Sequence, residues 1–107
     1  MKNIKEFIVF YAADCRIRHC LKKSSGKILE FCVQLEINYK GHWTAIVRYD
    51  TAHGFAHRDI IHANGRQEKF PLGLLTYNEA LTFAQTDLDK NWRFYHQNFL
   101  KEAGQYD

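Results

Sequence analysis

A chain of 107 residues is one domain's worth of polypeptide, and 46% hydrophobic against 25% charged residues excludes a disordered tail. A net charge of +3 is too mild to indicate a nucleic-acid partner unless the basic residues gather on one face. The longest apolar run, Phe7 to Ala13, falls well short of the roughly 20 residues of a bilayer span, and three cysteines without a Cys-x-x-Cys pair or a secretory segment fit a reduced compartment. A single domain, 1–107, is expected, in the cytoplasm and with no membrane partner.

In chain order, Ile4, Phe7, Ile8 and Tyr11 stand at helical spacing, while Phe7 to Tyr11 serves equally well as a strand, so a short N-terminal helix or strand is left open. Cys15, Ile17, His19 and Leu21 then alternate with Arg16, Arg18, Cys20 and Lys22. A Ser24-Ser25-Gly26 loop would place Leu21 opposite Leu29 and Ile17 opposite Val33. Leu29, Phe31, Val33, Leu35, Ile37 and Tyr39 are apolar at a period of two, which predicts a half-buried strand. Trp43, Ala45, Val47 and Tyr49 repeat the pattern; a three-residue loop Lys40-Gly41-His42 would pair Tyr39 with Trp43. Asn64-Gly65 signals a hairpin joining Phe55–His62 to Arg66–Phe70.

Thr76 and Glu79 have the spacing of a capping box, after Pro71 and Gly73 have closed the preceding strand. Tyr77, Ala80, Leu81, Ala84, Leu88, Trp92, Tyr95 and Phe99 follow at steps of three and four, predicting an amphipathic helix to about Lys101 that either breaks near Asp87 or overhangs the sheet. The expected fold class is α+β, an antiparallel β-meander of about five strands with a long C-terminal helix.

Titratable side chains concentrate between Arg48 and Arg66, where three of the six histidines, three arginines and two aspartates occur. Strand parity puts Arg16, Arg18, Gln34, Arg48 and Asp50 on the face opposite the core, with Arg16 and Arg48 flanking Gln34 and Arg18 near Glu30. Guanidinium groups on one sheet face suit phosphate oxygens. The candidate catalytic residues are Arg48, Asp50, His53, His57 and Arg58, with Arg16, Arg18 and Gln34 as substrate-binding groups. Imidazole takes and gives protons at cellular pH, so a metal-independent ribonuclease could draw base and acid from His53 and His57 and a cation from Arg48 or Arg58. His53, His57 and His62 at spacings of four and five in an extended chain lack the facial geometry of a metal motif, so no metal is expected. No Gly-x-Gly-x-x-Gly, Walker loop or Gly-x-Ser-x-Gly occurs, and no cofactor is expected.

Arg48-Tyr49-Asp50-Thr51-Ala52-His53, followed by His57, resembles the Arg-x-Asp-Asn-Ala core with trailing histidines of the TumE-like toxin components of bacterial toxin–antitoxin pairs. The resemblance covers roughly Leu29 to His62; Thr51 stands where that family has Asn, and His57-Arg58-Asp59-Ile60-Ile61-His62 replaces its later histidine cluster. It implies a small bacterial protein paired with a cognate antitoxin and acting on RNA, with Arg48, Asp50, His53 and His57 as site residues. Two other readings compete with it. One is a non-enzymatic interaction module that dimerises or docks a partner through Trp92, Phe94, Tyr95 and Phe99. The other is a metal-dependent hydrolase built on His53, His57, His62 and Asp59.

Overall fold

The computed structural model describes residues 2–104. Among them six strands form one antiparallel sheet in sequence order: β1 (Lys2–Ala12), β2 (Cys15–Ser24), β3 (Lys27–Tyr39), β4 (His42–Asp50), β5 (His57–Ile61) and β6 (Gln67–Pro71). A single helix, α1 (Tyr77–Gly104), lies across one face, chiefly on β3 and β4. No helix among the described residues is long and apolar enough to cross a membrane.

The N-terminal segment is a strand, so the sheet has six strands where about five were expected. As an extended chain it pairs with the outer edge of β2 from Lys2 opposite Ser24 to Ala12 opposite Cys15. It also turns Phe7 and Tyr11 to the helix side. Phe7 stacks on His19 at 4.2 Å between ring centroids, and Tyr11 stacks on Trp92 at 5.3 Å. A helix would have left the backbone groups of the β2 edge without partners.

Both central hairpins are tighter than the expected three-residue loops. Ser25 and Gly26 (φ 50° and 76°), and Lys40 and Gly41 (φ 53° and 83°), make two-residue turns with both residues left-handed, the conformation that matches strand twist. Each tight turn is followed by a β-bulge, and the bulges decide the register. Past the irregularity at Lys22/Lys23, Leu21 faces Phe31 and Ile17 faces Leu35. That is a slip of two from expectation, so the core set of β2 is unchanged. On β4 the bulge absorbs Ile46, which is buried along with Val47, and Val33 opposite Tyr49 and Gln34 opposite Arg48 hold as expected. On the turn side of that bulge parity inverts: Trp43 and Ala45 sit on the open face, not in the core. Arg16 lies 4.0 Å over the Trp43 ring. Asn64-Gly65 closes the β5–β6 hairpin with Gly65 at φ 88°.

The core lies between α1 and the sheet, where Val33, Leu35, Ile37, Val47, Tyr49, Ala84 and Leu88 are almost fully buried. The capping box forms as expected: Thr76 N–H donates to Glu79 Oε1 at 2.9 Å and Glu79 N–H to Thr76 Oγ1 at 3.1 Å. The helix runs unbroken for 28 residues, about 42 Å at 1.5 Å per residue. Asp87 does not interrupt it because its carboxylate is engaged sideways by Tyr49, Asn91 and Tyr95, each at 2.7 Å. Polar clips at the turns set its direction. Asn78 accepts the Ile28 N–H, His96 meets Asp14 at 2.9 Å, and Glu102 accepts from His62 Nδ1 at 2.6 Å and from the Ala63 N–H.

Candidate functional site

Antiparallel pairing carries side chains across the sheet in rows, and three of the rows on the open face, the one turned away from α1, hold the candidate residues. One runs Ile8, Arg18, Gln34, Arg48, Asp59, Lys69; the next runs Glu6, Cys20, Cys32, Asp50, His57, Pro71; a third holds Phe10, Arg16 and Glu36. The slip of two on β2 changes the expected arginine set. Arg18, not Arg16, flanks Gln34 together with Arg48, and Arg48 Nε donates to Gln34 Oε1 at 3.0 Å. Arg16 is taken up by Glu36 at 2.6 Å and by the Trp43 ring. Lys22, not Arg18, is opposite Glu30. Gln34 donates its side-chain N–H to Glu36, which completes a polar ladder across β2–β4.

After β4 the chain folds back through the short turn Ala52–Gly54, in which His53 (φ 71°) and Gly54 (φ 84°) are both left-handed. A non-glycine residue there carries strain, and such strain gathers at functional positions. Thr51 anchors the turn: it is buried and accepts the Phe31 N–H at its Oγ1. Asp50 Oδ1 accepts the Ala52 N–H at 3.0 Å. The result is that His57 returns directly opposite Asp50, with its Nε2 2.9 Å from Asp50 Oδ1 and 3.7 Å from Asp59 Oδ2. His57 is only 1% exposed, whereas His53 is exposed, its ring 6.3 Å from that of His57. A hollow of about 710 Å³ opens beside this cluster, lined by Cys20, Cys32, Glu30 and Asp50 through Gly54. Burial and the nearby Asp50 push the Cys32 thiol up to about 11, so it stays protonated at cellular pH and is a poor nucleophile.

The structure brings together Arg18, Gln34, Arg48, Asp50, His53 and His57, and separates the other expected site residues. Arg58 alternates to the helix side, where Nη1 donates to Tyr95 Oη at 3.4 Å and lies 3.9 Å from Asp87, while its guanidinium rests 4.8 Å from the Phe70 ring centroid. It cannot share substrate with His53. His62 is likewise on the helix side with Glu102, so the expected grouping of His53, His57, His62 and Asp59 does not form. Asp59 is instead drawn to His57 and Asp50, and the alternation of His57 and Asp59 along β5 is the sequence signal for that placement. Of the four aromatic residues expected to make a helix surface, only Phe94 is strongly exposed, at 61%; Trp92 and Tyr95 are partly buried and Phe99 is in the core.

No curated protein and no solved structure matches the chain. Residues 1–105 match the family model described as Domain of unknown function (DUF7718), which spans all six strands and the helix, and the chain belongs to that family.

Proposed function

We propose that this is a small bacterial toxin-like protein acting on RNA in the cytoplasm, with the phosphodiester backbone lying along the open sheet face. The observation that carries the reading is the pair Arg18 and Arg48 on either side of Gln34, one row from Asp50 and His57, with the exposed His53 on the turn beyond that row, its ring 6.3 Å from that of His57. Arginine forks suit phosphate oxygens, and Gln34 restrains the Arg48 fork through Nε, leaving less freedom to lose on binding. The exposed imidazole of His53, on the turn that follows Asp50, is the group offered to move a proton to or from a ribose or leaving oxygen. Buried His57 touches no substrate in this reading; with Asp50 it positions the turn that presents His53. The resemblance at Arg48–His57 to TumE-like toxins supports the same assignment and implies a cognate antitoxin that covers the face.

The test is growth of a bacterial host after induced expression. Arrest is expected from the wild type, and relief from Arg48→Ala and from His53→Ala, with both variants folded by circular dichroism. Harmless wild-type expression, together with no binding of single-stranded RNA in a gel-shift assay, would refute it.

A second reading, an interaction module on the helix, is favoured by Phe83, Phe94 and Leu100, which leave α1 46%, 61% and 40% exposed. Light scattering decides it: a dimer that dissociates on Phe94→Ser is expected, and a concentration-independent monomer would remove self-association.

A further inference from the structure

We infer that Asp50, His57 and Asp59 form a binding site for one divalent cation of the zinc or manganese class, at the floor of the open face. Their donor atoms lie within 4.8 Å of one another, with His57 Nε2 2.9 Å from Asp50 Oδ1 and 3.7 Å from Asp59 Oδ2. Donors about 2.1 Å from a four-coordinate ion are roughly 3.4 Å apart, so this triangle needs only small side-chain adjustments to close on one. An imidazole nitrogen with two carboxylates is a mixed donor set that suits zinc or manganese better than an all-oxygen magnesium or calcium site.

Three further observations point to a cation. Asp59 is buried, its side chain 5% exposed, and its Oδ1 has no hydrogen-bond partner, a cost of several kcal/mol for a carboxylate unless something fills the gap. Among the described residues no lysine or arginine nitrogen lies within 4.0 Å of Asp50 or Asp59; His57 is the ion-pair partner of both. Finally, His57 Nδ1 is 3.3 Å from the Phe55 carbonyl oxygen, which can only accept, so Nδ1 carries the proton. Nε2, on the other side of the ring, faces the two carboxylate oxygens, where it can serve as a ligand to an ion lying between them. A backbone carbonyl holding Nδ1–H while Nε2 faces anions is the outer-shell arrangement of metal-bound histidine. A divalent ion neutralises two carboxylates and a neutral imidazole; a proton on Nε2 leaves one negative charge buried.

Asp50, the least buried ligand at 17% side-chain exposure, also lines the hollow, so the ion's remaining coordination faces that side. A bound ion here would depart from the metal-free expectation of the sequence. The site is independent of the RNA reading, since it is tested by metal binding alone.

The test uses the full chain without an affinity tag, stripped with chelator and titrated with Zn²⁺ and with Mn²⁺ by calorimetry, beside Asp59→Asn and His57→Gln. One equivalent is expected for at least one metal in the wild type, with a raised melting temperature. Both variants should bind more weakly by more than the ~10–100-fold that loss of an outer-shell partner costs. The ¹⁵N resonance of His57 Nε2 in the wild type should shift on metal addition while that of His42 stays in place, a readout that survives if a variant does not fold. No binding, binding undiminished in folded Asp59→Asn, or an unmoved His57 resonance would each overturn the site and leave His57 as an imidazolium between two carboxylates.

Discussion

His19 sits at 5% exposure on the helix side of β2, stacked on Phe7, with its Nδ1 unpaired. Burial lowers its pKa against the weaker opposing pull of Asp89, so the folded protein resists protonation that the unfolded chain accepts. Because the folded pKa is below the unfolded value of about 6.5, this residue costs nothing above that pH and lowers stability as pH falls through it. His19→Leu should therefore stabilise the protein more at pH 5 than at pH 7.5, measured as the difference in urea midpoint from the wild type. Equal differences at the two pH values would show that His19 titrates normally. Asp87 is the converse case, a carboxylate of 12% side-chain exposure with every neighbour a donor: Tyr49, Tyr95 and Asn91 donate to it and Arg58 lies 3.9 Å away. Burial first, and then this carboxylate, push the Tyr95 hydroxyl up to about 12, so it remains a donor at any physiological pH. Asp87→Ala would leave the Tyr49 and Tyr95 hydroxyls and the Asn91 amide without this acceptor, remove the carboxylate beside Arg58, and should cost about 2–3 kcal/mol in chemical denaturation. Nothing in the spacing of Tyr49, Arg58 and Asp87 announces that cluster, which is made by a strand, its neighbour and a helix meeting in space.

At the scale of elements, the helix start and the strand parities were legible because local chemistry sets them. Thr76 and Glu79 satisfy each other's backbone N–H groups within one turn, and holding Glu79 in those bonds lowers its pKa. Thr76→Ala should cost about 1 kcal/mol, read from a thermal or urea melt. The β2–β4 alternation survived both bulges in the stretch from Cys15 to Leu21 and at Val47 and Tyr49, because a shift of two preserves facing and an extra residue at Ile46 restores it. It failed at Trp43, on the far side of that extra residue. Deleting Ile46 would join Ala45 to Val47 in plain alternation, so Trp43, Arg48 and Asp50 keep their places on the open face and only a buried side chain is lost. Such a variant should keep a cooperative unfolding transition at a lower urea midpoint than the wild type, followed by tryptophan fluorescence; loss of the cooperative transition would show that the bulge itself holds the register. β1 was ambiguous for a physical reason: its apolar residues suit either period, and only the free edge of β2 decides between them. As an edge strand it leaves Ile4 and Phe10 71% and 57% exposed on the open face, with Phe10 opposite Arg16 and its ring 5.7 Å from that of Trp43.

For the whole molecule, the sheet separates two environments that the sequence interleaves residue by residue. Along β5, His57 and Asp59 go to the open face while Arg58, Ile60 and His62 go to the helix, so a run that reads as one dense cluster divides into two chemistries. If RNA binds the open face, Arg18→Ala and Arg48→Ala should each weaken single-stranded RNA binding about uniformly across sequences and reduce its salt dependence, while Arg58→Ala should leave it unchanged and lower stability instead. Salt-series gel shifts would show this, and equal losses for all three arginines would contradict the division. The α+β class, the single meander, the helix with its cap and the core face of β2, of β3 from Phe31 onward and of β4 at Val47 and Tyr49 were determined by sequence alone, because period, turn residues and capping act over a few neighbouring positions. The sixth strand, the bulges, the exchange of Arg16 for Arg18 beside Gln34, and the meeting of Asp50, His57 and Asp59 were decided only in the tertiary structure. Those depend on register between strands and on a left-handed turn at His53 and Gly54 that carries β5 back against β4, neither of which is a local property of the chain.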